Sequence, residues 1–127
     1  PAVGRHEALV VDNETFTEDG RIALHGQPVF CVDQPGGRVV WVNFAPPHND
    51  TVQVIDMMSQ TVVHEMKPGP GVLHMEFTPK GREVWMSVRD ADRVDVYDTT
   101  TRAKLAELPA LKPSGIFFTS RANRIGA

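Results

Sequence analysis

Short runs of alternating apolar and polar residues, such as Val52-Gln53-Val54-Ile55, fill most of the chain, and Gly, Pro, Asn and Asp separate them. That period of two predicts β-strands bounded by turns. No stretch carries the spacing of three and four residues that marks an amphipathic helix. An all-β chain is expected.

The strands recur as a set. Gly37-Arg38-Val39-Val40-Trp41 returns as Gly81-Arg82-Glu83-Val84-Trp85, Pro35 returns as Pro79 and Gly71 as Gly115, each at an offset of 44 residues. The same offset carries Ala8, Val10 and Asp12 onto Val52, Val54 and Asp56. Val94, Val96 and Asp98 follow 42 residues later, because one loop is two residues shorter. A period of about 40–45 residues with four strands per repeat is the signature of a β-propeller blade.

Counting strands predicts whole blades at 27–70 and 71–114 and the two outer strands of an earlier blade at 1–26. A closing inner strand is expected within 115–127, beginning at Ile116-Phe117-Phe118-Thr119. The fold class expected is thus a fragment of about three blades of four-stranded antiparallel sheet. Propellers close with about 4–8 blades. Either the chain continues upstream, or copies of it self-associate through open strand edges.

Composition narrows the partners. A formal charge of −3 and the absence of a long basic run exclude a broad nucleic-acid footprint. No segment approaches the roughly 18 apolar residues of a membrane span, and no charged-then-apolar leader is expected within these residues. The chain opens at Pro1, so processing or truncation is expected to have removed what came before. The single cysteine, Cys31, lies between Phe30 and Val32 and reads as a small packed side chain.

Strand direction alternates within a blade, so the loop leading into an inner strand shares a rim with the loop between the second and third strands. That rim collects His25-Gly26-Gln27-Pro28, Pro68-Gly69-Pro70-Gly71 and Lys112-Pro113-Ser114-Gly115, together with Pro46-Pro47-His48-Asn49-Asp50 and Arg89-Asp90-Ala91-Asp92. Glycines at three inner-strand starts let the backbone approach a flat ligand, although tight turns alone also explain them. His74 stands where the neighbouring repeats carry Phe30 and Phe118. An imidazole at that position can ligate iron, bond a carboxylate or move a proton, while a satisfied structural histidine is the simpler account. Trp41 and Trp85 share one repeat position and read as packing between blades. Arg89 is a candidate clamp for propionate or acetate groups, whereas Asp90, Asp92 and Arg93 fit a solvated turn with local ion pairs. No G-x-S-x-G, H-E-x-x-H, P-loop, paired-Cys or C-x-x-C-H motif occurs.

The runs Gly71-Val72-Leu73-His74-Met75-Glu76-Phe77-Thr78-Pro79, Val84-Trp85-Met86-Ser87-Val88-Arg89-Asp90-Ala91-Asp92 and Pro113-Ser114-Gly115-Ile116-Phe117-Phe118 resemble the closing blades of the NirF family. Gly26-Gln27-Pro28-Val29-Phe30 and Trp41-Val42-Asn43-Phe44 fit the same family, which is similar to the eight-bladed d1 domain of cytochrome cd1 nitrite reductase. The resemblance implies the C-terminal part of an eight-bladed propeller in the periplasm. It implies a protein of heme d1 biosynthesis that binds heme d1 or its late tetrapyrrole precursor at one mouth, needed for nitrite reductase maturation in denitrification. Trimming of tetrapyrrole side chains is the activity proposed for the family.

By the same resemblance Phe30 matches an aromatic contact to the d1 ring, His74 replaces a glutamine facing it, and Ser114, Gly115 and Phe117 match the closing segment. The binding set is then Phe30, His74, Arg89, Ser114, Gly115 and Phe117, with His74 as the catalytic candidate and no metal ligand of the chain's own. Iron ligands are expected upstream, so the isolated fragment is expected to be inactive. Other heme d1 maturation proteins and nitrite reductase are the implied partners. Two further readings stand beside this one: a non-catalytic scaffold for protein partners, and a d1-heme dehydrogenase or nitrite reductase.

Overall fold

Each apolar run in the repeat forms one strand of an antiparallel sheet. The computed structural model describes residues 1–2 and 4–119. Strands β1 (Glu7–Val11) and β2 (Glu18–Ala23) form a pair. Strands β3 (Pro28–Asp33), β4 (Val39–Phe44), β5 (Val52–Asp56) and β6 (Thr61–Met66) form one four-stranded sheet. A second is built from β7 (Val72–Phe77), β8 (Glu83–Val88), β9 (Arg93–Asp98) and β10 (Lys104–Pro109), with a short 3₁₀ turn at Arg89–Ala91 between β8 and β9. Every ladder joins strands that are consecutive in the chain. The architecture is that of propeller blades, and no helix among the described residues is long and apolar enough to cross a membrane.

The glycine of the repeated motif has a local cause. Gly37 and Gly81 have φ of 71° and 66°, the left-handed region in which the hairpin turns back and a Cβ is disfavoured. Gly81 is constrained a second time, because an added Cβ would stand 3.0 Å from the carbonyl oxygen of Pro35 in the preceding blade. The motif therefore marks a turn and, at Gly81, a point where two blades touch.

Packing between sheets explains the alternation. Successive side chains of a strand point to opposite faces, so Val42 and Phe44 of β4 join Ala8, Ile22 and Leu24 of the half blade in one core. Trp41 of the same strand turns the other way and joins Val72, Met75, Phe77, Val84 and Met86 of the next blade. Its ring is completely buried and meets Phe77 edge-on at 5.8 Å. Arg102 of the β9–β10 turn lies 4.6 Å over the same ring, and the indole N–H donates to Gln34 Oε1 at 3.1 Å. Burying an aromatic of this size removes about 150–250 Å² from water, an upper bound of ~4–6 kcal/mol at the usual area coefficient. Cys31 packs half-buried against the first of these cores.

Two expectations change here. Trp85, the repeat partner of Trp41, is half-buried; its ring meets Phe118 edge-on at 5.4 Å and its indole N–H donates to Glu83 Oε2 at 3.2 Å. It faces the side where Trp41 has a following blade, and no further sheet stands there among the described residues. The closing inner strand expected within 115–127 is likewise not a strand over 115–118, and 120–127 lie outside the described residues. An inner strand needs the second strand of its own blade, so this segment instead folds back on the last sheet. There the Ile116 N–H donates to His74 Nδ1 at 3.2 Å.

Asp56 and Asp98 end the third strand of their units, Asp12 directly follows its counterpart, and all three fasten the turn that comes next. Asp12 accepts from the N–H groups of Glu14 and Thr15, Asp56 from Met58 and Ser59, and Asp98 from Thr100 and Thr101, at 2.7–3.3 Å. These are side-chain turns of the Asx kind. The backbone bonds, chiefly those from Thr15, Met58 and Thr101, hold all three carboxyls below the ordinary aspartate value.

Two outcomes are expected for this chain. A folded-state pKa below the unfolded one gives stability that is complete above about pH 4 and lost as pH falls through the lower, folded values. Melting temperature should therefore drop on acidification below about pH 4, less steeply in Asp56→Asn and Asp98→Asn, which keep the acceptor and lose the charge. An unaltered acid slope in both variants would refute the assignment. Denaturant titration should show Trp41→Ala losing about 3–5 kcal/mol and Trp85→Ala clearly less; equal losses would contradict the packing described.

Candidate functional site

The rim is shaped by two bulges at one repeat position. The ladder of β3 with β4 slips between Pro28 and Cys31, and that of β7 with β8 slips between Val72 and His74. A bulge frees a backbone N–H and turns its side chain out of register. Phe30 donates its freed N–H to Asn43 Oδ1 at 3.0 Å, and His74 donates its own to Ser87 Oγ at 2.9 Å. Phe30 and His74 thus become neighbours across the seam between blades, with ring centroids 5.8 Å apart and planes at 76°.

The last segment adds a third ring. Phe117 is largely exposed, and its centroid stands 5.2 Å from that of His74 at a tilt of 46°. The bond from Ile116 requires an unprotonated Nδ1, so the neutral His74 ring carries its proton on Nε2. Of the residues singled out from sequence, Phe30, His74 and Phe117 come together, and Ser114 and Gly115 are exposed just ahead of Phe117. Arg89 belongs to a different rim turn: its N–H donates to Gly71 O at 2.9 Å and its guanidinium pairs with Asp90 at 3.3 Å.

The glycines at the inner-strand starts serve protein contacts. A Cβ on Gly26 would fall 2.8–3.0 Å from His48, and one on Gly71 would fall 2.6 Å from Asp90 Oδ2. The loop between the second and third strands thus lies against the start of the inner strand in both blades. Further bonds hold the loops in place. His25 N–H donates to Gln53 Oε1, Arg93 donates to Pro68 O, and Lys112 N–H donates to Asp92 Oδ1, at 2.8–3.1 Å. Arg93 is held inward by Asp95, whose buried carboxylate also meets Lys104 at 3.0 Å.

Sequence reasoning passed over two features. Asn43 and Ser87 are polar residues at one repeat position that interrupt the apolar runs 39–44 and 84–88, and that interruption was the available signal for the bulges. The other is a histidine group on the same rim, where the rings of His25 and His48 stand 4.4 Å apart and those of His6 and His48 6.2 Å apart. The Asp50 carboxyl nearby is held below its usual value, first by the Thr51 hydroxyl and further by Lys67 and His25. Among the described residues, no group of three or more His, Cys, Asp or Glu side chains is placed to hold a metal ion.

Comparison with known proteins agrees with this architecture. Residues 1–122 match the family described as the cytochrome D1 heme domain, and the chain belongs to that family. It is 51% identical over 126 residues to Protein NirF of Pseudomonas aeruginosa and 48% identical to Protein NirF of Stutzerimonas stutzeri, covering 99% of this chain and 32% of each relative. The chain therefore spans about a third of the length of these relatives. Among solved structures it is similar to dihydro-heme d1 dehydrogenase NirN in complex with DHE, with a TM-score of 0.80 and 29% identity over 91% of this chain and 26% of that one. Apo AztD from Citrobacter koseri shares the fold at 15% identity and a TM-score of 0.70, covering 87% of this chain and 31% of that one.

Proposed function

We propose that this member of the cytochrome D1 heme domain family binds a d1-type heme, or a late tetrapyrrole precursor of it, across the rim in the biosynthesis of heme d1. The observation that carries the reading is the group of three rings, Phe30, His74 and Phe117, gathered at a seam between blades. Phe30 and Phe117 are exposed and offer apolar faces to a flat macrocycle. The His74 imidazole beside them can exchange one of its present contacts for a bond to a carbonyl or carboxylate on the macrocycle's edge. Arg89 is roughly half exposed, and its surface pair with Asp90 is of a kind worth only about 0–1 kcal/mol, so a ligand carboxylate can replace it.

The residues present suit such a group, which when bound would supply the redox-active iron and conjugated ring. This chain's own residues stack against it and orient its edge through Phe30, Phe117 and the His74 imidazole. The reading carries with it a periplasmic location, a role upstream of nitrite reductase maturation in denitrification, and heme d1 maturation proteins and nitrite reductase as partners. It is supported by 51% identity to NirF, against 29% identity to the dihydro-heme d1 dehydrogenase of Pseudomonas aeruginosa for the alternative reading as a dehydrogenase.

Titrating the full-length protein with heme d1 should give a saturable shift of the visible bands, and His74→Ala should weaken binding about tenfold, the equivalent of one charge-assisted hydrogen bond. Its melting temperature should stay close to that of the parent. Spectra unaltered by the protein would reject the reading, while unchanged affinity in His74→Ala would remove His74 from the site.

A further inference from the structure

Asn43 is 1% exposed and lies in the seam between the two four-stranded sheets. Its Oδ1 accepts the Phe30 N–H at 3.0 Å, and its Nδ2 donates to the carbonyls of Val72 and Leu73, each at 3.0 Å. Phe30 lies on the inner strand of one blade, and Val72 and Leu73 lie on the inner strand of the next, immediately before His74. One planar amide therefore spans the two bulged strands at the level where the Phe30 and His74 rings meet. Its repeat partner, Ser87, makes only local bonds, accepting from the His74 N–H at 2.9 Å and donating to the His74 carbonyl at 3.4 Å.

The chemistry of the position is selective. Only a carboxamide offers an acceptor and two donors on one short planar group; an aspartate would set a second acceptor against two carbonyls, and a serine is too short to reach the next blade. A buried polar group satisfied on every side sets one geometry, since each alternative leaves a bond unmade. We propose that Asn43 is a positioning residue of the tetrapyrrole site, holding Phe30 and His74 at the spacing and angle the macrocycle requires. The inference rests on the reading of the rim as a tetrapyrrole site. Asn43 touches no ligand and acts through the two rings.

The test uses the full-length protein with Asn43→Ser, Asn43→Asp and, as a packing control, Ile55→Ala on the opposite face of the same blade. Serine is the residue the following blade carries here and keeps an acceptor for Phe30. With side chains labelled at His and Phe, the ring resonances of His74 and Phe30 should shift in both Asn43 variants and stay in place in Ile55→Ala. Affinity for heme d1 should fall about tenfold in Asn43→Ser, and the induced circular dichroism of the bound chromophore should change. In Ile55→Ala the melting temperature should fall while affinity and dichroism hold.

Unmoved ring resonances, or an affinity loss no larger than that of Ile55→Ala, would overturn the proposal. If the parent protein binds no heme d1, the reading of the site fails, and with it the role of Asn43 toward a ligand. The ring resonances alone then decide whether Asn43 sets the Phe30–His74 geometry.

Discussion

A blade of this fold has two apolar faces, and neither can rest in water, so each sheet needs a neighbour on both sides. The sheet β3–β6 has them, the half blade against Val42, Phe44 and Ile55, and the following blade against Trp41, Val52 and Val54. Most of the chain's other features follow from that demand. Trp41 becomes completely buried, Gly81 comes into contact with Pro35, and Arg102 reaches back over the Trp41 ring. Where the demand is unmet, at Trp85, the side chain is half exposed and the last described residues fold onto it.

The loops on the rim obey a second rule, that buried polar groups must be paired. Third-strand residues supply the partners: Gln53 receives the His25 N–H, and Asp95 holds Arg93, which in turn bonds the carbonyl of Pro68. Desolvation raises the Tyr97 hydroxyl above its usual pKa, and the Asp95 carboxylate beside it adds to the shift. The rim is thus braced from within the sheets. Exposed groups on it gain a defined geometry from strands rather than from the loops themselves.

At the seam the two rules meet. Bulges in β3 and β7 turn Phe30 and His74 toward one another, and each freed N–H finds a side chain on the adjacent strand. A flat tetrapyrrole asks for apolar faces and a few edge donors, and this constellation offers both. The proposed function starts from family membership, and the ring geometry is compatible with it.

Much of the fold was legible because a propeller repeats. The offset of 44 residues, the period of two, the left-handed glycines and the turn-closing aspartates are local demands that every blade makes again, and repetition separates them from chance. The resemblance carried by the runs around His74 and Trp85 pointed to the family as well. Other features were not legible. Trp41 and Trp85 are identical in pattern, yet burial depends on which side has a neighbour. Glycines at the inner-strand starts allowed either a tight turn or room for a ligand, and at Gly26 and Gly71 the folded chain places His48 and Asp90 in that room. Phe30, His74 and Phe117 are separated by more than 40 residues at each step, so only the docking of one blade on the next and the return of the last segment onto its own sheet bring them together. Sequence alone determines what each blade is, because its strands and turns are local; tertiary structure decides what faces what, because contact between blades is set by shape and by the few buried polar groups, such as Asn43, that accept a single arrangement.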